Sequence, residues 1–323
     1  MPRVGVIFTG GTISMRPDPA VGGNVPALDG AAILELAPGA AEIAELEPID
    51  WGLVPASHLT FAQICDIARL GAATLARDDI DGLVIVQGTD TIEETAFAYD
   101  LLVATDKPIV VTGAMRDASA PDYDGPRNLA DAVACASAAS LRGCGVLVML
   151  DGRAIAADQA VKTNTTAMDT FQPREGDVIA PVSDGVVGAV NPRSRRLLPR
   201  IPDEAVEDVH LITVVTGMSG ALVRGIAESR PRGLVIAATG AGNTSFELLQ
   251  ATTALMARGT TVVLTTRCST GDVDPAYAFP GGGVTWQKAG AILSRLDGPK
   301  SRVALALALS CGLGRDDIAR VLQ

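Results

Sequence analysis

The sequence predicts an α/β protein in two parts: a doubly wound parallel sheet forms an N-terminal domain (residues 1–188), and a smaller α/β domain (210–323) follows a linker (189–209). Three observations predict it. Short apolar runs alternate with stretches of helical period, the pattern of a parallel sheet wound with right-handed crossovers. Aromatics are only 3% of the chain, so the core must come from Val, Ile, Leu and Ala, which suits strands buried under Ala-rich helices. A composition shift at Asn191–Pro202, with three Pro and four Arg, reads as an exposed linker.

Taken in order, Val4 to Phe8 is a continuous apolar run, long enough for a buried strand and too short for a helix. The stretch Ile13 to Gly30 is broken by Pro17, Pro19 and Pro26 and shows neither period, so it reads as a long loop acting as a lid. A helix from Ala31 to Leu36 and a strand from Glu45 to Ile49 come next. Phe61 to Ala76 is an amphipathic helix capped by Thr60. Leu83 to Val86 is a second buried strand, and Thr91 to Ala104 carries Ile92, Tyr99 and Leu102 at helical spacing. Pro108 to Val111 is a strand, Gly125-Pro126 opens a helix to Ala139 with Pro in the first turn, and Val146 to Leu150 is the next strand. The alternation lapses over 153–185. Beyond the linker it resumes with strands at Leu211–Val215, Leu234–Ala238 and Val262–Thr265, and helices at Ser245–Ala257, Trp286–Leu296, Ser301–Ser310 and Asp316–Leu322.

Bulk properties exclude several classes. A length of 323 residues with 48% hydrophobic and 20% charged residues is a folded chain with a sizeable core. A net charge of −11 argues against nucleic acid or an anionic membrane as partner. No signal peptide is read at MPRVGVIF, and Val303–Leu309 is too short to span a bilayer. Five cysteines, an odd number without CxxC spacing, fit free thiols in a reducing cytoplasm. With two histidines, His58 and His210, a His-based metal site is not expected.

Two strand-end turns carry the chemistry-bearing residues. Thr9-Gly10-Gly11-Thr12 follows the first strand, and Gln87-Gly88-Thr89-Asp90-Thr91 follows the second. In open α/β sheets ligands bind outside the carboxyl ends of the strands, so Thr12, Thr89 and Asp90 are placed to face one pocket. Ordinary βα turns also use Gly, Thr and Asp. Asp90 and Glu93 match capping-box spacing, so Asp90 also reads as a helix cap. Lys162, in the polar run Val161–Thr166, reads as a solvated charge. Gly240–Ser245 is a broken GxGxxG lacking its third Gly, and Gly217–Ala221 is a GxSxG lacking its last. Neither makes a site.

Together TGGTI (Thr9–Ile13), QGTDTIEETA (Gln87–Ala96), VTGAMR (Val111–Arg116), DGPRNL (Asp124–Leu129) and KTNTT (Lys162–Thr166) resemble the bacterial-type L-asparaginases, in the family's order and spacing. The likeness continues through Gly240–Asn243 and so covers nearly the whole chain. It implies hydrolysis of asparagine to aspartate and ammonia through an acyl-enzyme on Thr12, with no metal or organic cofactor. Thr89, Asp90 and Lys162 match the second catalytic group. Ser57 matches the residue holding the substrate's α-carboxylate, and Asp90 also receives its α-ammonium. Backbone N–H groups at the Gly11 and Gly88 turns would stabilise the oxyanion. A homodimer or homotetramer is implied too, while the cytoplasmic location rests on the thiols and the N-terminus read above.

Three positions depart from the family pattern. Asn24 stands where the lid Tyr would be, and His58 stands where Gln commonly follows the Ser. An acidic residue lent by a neighbouring subunit has only Asp272 and Asp274 as nearby candidates. An alternative function is therefore an amino-acid-binding or sensor protein that keeps the pocket and loses turnover. A nucleotide-binding protein using the glycine turns as phosphate cradles is disfavoured, because no basic residue follows either turn closely.

Overall fold

The backbone runs β1 (Arg3–Phe8), β2 (Met15–Asp18), β3 (Gly23–Pro26), α1 (Gly30–Glu35), α2 (Pro38–Ile43), β4 (Glu45–Asp50), α3 (Phe61–Leu75), β5 (Gly82–Val86), α4 (Ile92–Leu102), β6 (Ile109–Thr112), α5 (Gly125–Ser137), β7 (Val146–Leu150), β8 (Arg153–Ala156), β9 (Ala160–Lys162), β10 (Phe171–Pro173), β11 (Ala180–Ser183) and β12 (Val186–Val187). These lie in a first compact unit, Met1–Leu197. A second, Leu198–Gln323, holds β13 (Val209–Thr213), α6 (Ala221–Ile226), β14 (Gly233–Ala238), α7 (Phe246–Met256), β15 (Thr261–Thr266), α8 (Gly283–Ala289), β16 (Ile292–Leu293), α9 (Gly298–Ser310) and α10 (Arg315–Val321). This computed structural model describes residues 1–323 apart from the side chains of Asn24 and Pro26.

In the first unit an eight-stranded sheet has the order β12-β11-β8-β7-β6-β5-β1-β4. Strands β4, β1, β5, β6 and β7 are parallel, and β8, β11 and β12 add on antiparallel. Alternate strand residues (Val4, Val6, Phe8, Val84, Val86, Val110, Leu147, Met149) join one core with Ile33, Ala40, Leu129, Ala132 and Val133 of α1, α2 and α5. Helices α3 and α4 pack on each other and on β1, β5, β6 and β7. Small Ala and Gly side chains let the helices approach closely. Gly71 of α3 is such a contact, since a Cβ there would lie 2.9 Å from Leu83 Cδ2.

The second unit is a four-stranded parallel sheet, β13-β14-β15-β16. Trp286, fully buried, fills its core with Val223, Leu248, Leu255, Ile236 and Leu264, and its indole Nε1 donates to Thr244 Oγ1 at 3.0 Å. That bond satisfies the one polar atom a buried Trp must place.

The structure departs from expectation in five places. Ile13–Gly30 is not an open loop: β2 and β3 pair as an antiparallel hairpin, turned through Gly22 at φ +74°. Short α2 lies between α1 and β4, opened by Pro38. The helix expected over Trp286–Leu296 instead ends at Gly290, whose φ of +99° stops it, and the chain enters β16. Residues 153–185 hold antiparallel strands. Finally, Arg193 and Arg195 of the expected exposed linker turn inward, with side chains 11% and 10% exposed.

Candidate active site

Two glycine turns are pressed together at the carboxyl ends of β1 and β5. Gly10 and Gly11 have φ of +109° and +100°, a region closed to bulkier residues, and that geometry lets the chain turn sharply into a 3₁₀ turn, Thr12–Ser14. A Cβ on Gly11 would lie 2.2 Å from Gly88 N and 2.3 Å from Gly88 Cα. Only glycine permits this approach, so the turns bearing Thr12 and Thr89 touch main chain to main chain. Gly113 of the next turn plays the same part, its absent Cβ falling 2.4 Å from Gln87 O.

The Thr12 turn is held at every carbonyl. Gly11 O accepts from Ser14 N (2.9 Å) and Ser14 Oγ (2.7 Å), and Thr12 O accepts from Met15 N. Ile13 O accepts from the Tyr123 hydroxyl at 3.0 Å. Ser14 O takes Ala27 N and Leu28 N, and Met15 O takes Ala118 N. Burial pushes the Tyr123 phenol above its ordinary value, and the neighbouring Asp124 carboxylate adds to the effect, so it stays a donor. Asp124 itself accepts from Met115 N, Arg116 N and Asn128 Nδ2, which fixes the loop behind Tyr123.

Thr89, Asp90 and Lys162 form one cluster. Lys162 ends β9, and its Nζ donates to Thr89 Oγ1 at 3.0 Å and to Asp90 Oδ1 at 2.9 Å. Its side chain is 16% exposed while that of Asp90 is 71% exposed, so the ammonium is not the solvated charge that a lone Lys in a polar run suggests. Asp90 caps nothing. Residues Thr89–Thr91 wind into a 3₁₀ turn, which moves the N-cap of α4 to Thr91, and neither Gly88 nor Thr91 makes a side-chain cap bond. Glu93, the expected box partner, instead accepts the main-chain N–H of Lys162 on Oε2 at 2.7 Å.

Ser57 and His58 are exposed on a 3₁₀ turn, Ala56–His58. Thr91 Oγ1 donates to Ala56 O at 3.1 Å, and a Cβ on Gly88 would lie 3.0 Å from Ala56 Cβ. Ser57 and His58 thus belong to the same strand-end cluster as Thr12, Thr89, Asp90 and Lys162. Asn24 lies on the backbone of β3, paired with Pro17, and its side chain is outside the described residues. In the second unit Asp272 pairs with Arg295 at 3.7 Å. Sequence reasoning missed Tyr123, whose partner is 110 residues distant, and misassigned Glu93, whose spacing mimics a cap.

Two family descriptions match this chain: "Asparaginase, N-terminal" over residues 3–194 and "Glutaminase/Asparaginase C-terminal domain" over residues 208–322. A probable L-asparaginase of Deinococcus radiodurans is 36% identical over 327 residues, covering 99% of this chain and 97% of that protein. L-asparaginase 2 of Bacillus subtilis is 29% identical over 321 residues, covering 96% and 83%. A crystal structure of a probable cytoplasmic L-asparaginase from Campylobacter jejuni superposes with a TM-score of 0.89 at 27% identity, covering 100% of this chain and 99% of that one.

Proposed function

Since the chain belongs to the asparaginase family, we propose that it hydrolyses the side-chain amide of L-asparagine to L-aspartate and ammonia, with Thr12 as nucleophile. The observation that carries the reading is the contact of the Gly11 and Gly88 turns, with Lys162 bound to Thr89 and Asp90 on the second of them. Thr12 gives up its hydroxyl proton as its Oγ1 attacks the amide carbon, and the N–H groups of the two glycine turns receive the developing oxyanion. The C–N bond breaks, the amine leaves as ammonia after taking a proton, and the acyl group remains as an ester on Thr12. Water then attacks the ester and returns Thr12 as a hydroxyl. A Thr hydroxyl is a weak nucleophile at its free pKa and needs neighbours. Thr89, held beside the Lys162 ammonium, is the group through which a proton reaches the leaving amine or leaves the attacking water. Asp90 receives the substrate's α-ammonium and Ser57 its α-carboxylate, with His58 narrowing the pocket beside it.

We place the enzyme in the cytoplasm, in asparagine metabolism, as a homodimer or homotetramer. Among the described residues no helix is long and apolar enough to cross a membrane. The test is ammonia release over a panel of amides. L-Asparagine is turned over faster than L-glutamine, and Thr12→Ala abolishes release while thermal unfolding stays at the wild-type temperature. Binding of L-asparagine by the wild-type protein without ammonia release would establish the sensor function in its place.

A further inference from the structure

We propose that Glu93 is a positioning residue for the reaction: its carboxylate fixes the main chain of Lys162 so that the ammonium stands on Thr89. This rests on the reading of Lys162 and Thr89 as catalytic. The geometry is a two-point attachment. Glu93 lies in the first turn of α4, directly after the 3₁₀ turn that carries Thr89 and Asp90. Its Oε2 accepts Lys162 N at 2.7 Å, while Lys162 Nζ reaches back to Thr89 Oγ1 at 3.0 Å and Asp90 Oδ1 at 2.9 Å. One short segment, Thr89–Glu93, therefore holds both ends of the lysine.

The anchor matters because of where Lys162 sits. It ends a three-residue strand, β9, in a two-stranded ribbon with β10 that is separate from the eight-stranded sheet. Along a strand, successive N–H groups point to opposite sides. Thr163 N bonds Thr170 O of the segment opposite, at 2.8 Å, so Lys162 N points away from the ribbon, towards α4. Without Glu93 that N–H has no partner in the ribbon, and the main chain of Lys162 loses its tie to α4. A lysine carries four rotatable carbons, so a small shift at its backbone moves the ammonium off Thr89 unless the root is held. A hydrogen bond to a carboxylate is the stronger kind, and 2.7 Å is its expected length. The following loop is held as well, Arg116 Nη1 donating to Thr166 O at 2.9 Å. On the side facing α4, the root of Lys162 is held by Glu93.

The experiment pairs Glu93→Ala with Glu93→Gln. Gln keeps an oxygen acceptor for the Lys162 N–H and loses the charge, so it is expected to keep kcat close to wild type. Ala is expected to lower kcat about 10- to 100-fold, the penalty of misplacing a catalytic group by a fraction of an ångström to one ångström. KM stays near the wild-type value, because Glu93 is not assigned to the substrate. Amide hydrogen exchange, followed by mass spectrometry on a peptide covering residues 160–166, is expected to quicken in Ala and not in Gln, at unchanged thermal unfolding of both. Wild-type kcat in Glu93→Ala, or unchanged exchange in that peptide, overturns the proposal. Equal loss of kcat in Ala and Gln also overturns it, since charge rather than anchoring would then be responsible. If the wild-type protein releases no ammonia, the amidohydrolase reading fails by itself, and the proposal falls with it whatever the exchange data show about the anchor.

Discussion

Asp90 shows how a residue can be visible in a sequence and still be read two ways. Its place before a helix, with Glu93 three positions on, fits a capping box, and the same residue fits a carboxylate for the substrate's ammonium. The structure separates these. Asp90 makes no cap bond, its side chain is largely exposed, and its partner is the Lys162 ammonium. Asp90→Asn is therefore expected to leave stability within about 0.5 kcal/mol, as for a surface substitution. In the role proposed above, the same change removes a charge-assisted bond to the substrate's ammonium worth about 1.5–3 kcal/mol, so L-asparagine is expected to bind roughly 10- to 100-fold more weakly. Calorimetry in a Thr12→Ala background, where turnover does not interfere, measures it. A large drop in unfolding temperature with normal affinity would instead make Asp90 a structural partner of the Lys162 ammonium rather than a substrate ligand. Thr12, Thr89 and the glycines were legible because strand-end turns declare themselves in residue type. Glu93 and Tyr123 were not, since each acts through a main-chain atom far away in sequence, and main-chain partners leave no mark on composition.

At the scale of elements, the buried strands and long helices were read almost to the residue, and the hairpin β2–β3 was not. Buried parallel strands are continuous apolar runs, and α3 even carries its full capping box, Thr60 with Gln63. The hairpin lies over no core, so Met15–Asp18 has no alternation to read, and Pro17 speaks against a strand. What shapes it is local bonding: Asp18 O accepts Val21 N and Gly22 N, and Asp18 Oδ1 accepts Ala20 N at 2.8 Å. Its root is tied to the rest of the unit by Tyr123 on Ile13 O. Tyr123→Phe leaves that carbonyl without its donor and is expected to cost about 1 kcal/mol, local to the Thr12 turn. The expected result is a lower kcat, faster amide exchange over 12–18 and a small shift in unfolding temperature. Because burial raises the phenol above its ordinary value, it remains protonated as pH rises. The alkaline limb of the pH–rate profile is then expected to be the same in Tyr123→Phe and wild type.

For the molecule as a whole, the first unit closes on itself through a buried ionic knot where an exposed linker was expected. Asp100, with a side chain 3% exposed, accepts from Val146 N at 2.8 Å and pairs with the guanidinium of Arg193, which also binds Asp158 and Cys144 O. Arg195 stands 3.6 Å from the same carboxylate and donates to Asp100 O. Gly145, at φ +75°, leaves room for this: a Cβ there would lie 2.3 Å from Asp100 Oδ1. Composition could not reveal the knot, because Arg among prolines signals solvent until a buried acid is known to face it. Removing one partner of a buried pair leaves an uncompensated charge, so Arg193→Met is expected to destabilise the protein by roughly 3–5 kcal/mol. The pH dependence follows from the carboxyl. Burial already pushes Asp100 up, while Arg193 and Arg195 pull it down. Without Arg193 its folded value rises further above the unfolded one, so the folded state holds a proton that the unfolded state has released. The contribution of Asp100 to the variant's stability is then fully present at low pH and is lost as pH rises through the raised folded value. Urea midpoints of wild type and Arg193→Met are therefore expected to converge in acid and separate towards neutrality. Adding Asp100→Asn to the variant should recover much of the gap at pH 7, since a neutral amide can still accept from Val146 N. A gap that is constant with pH, or unrelieved by Asp100→Asn, would mean that Arg193 holds the unit together through Asp158 and Cys144 O rather than by answering the charge on Asp100.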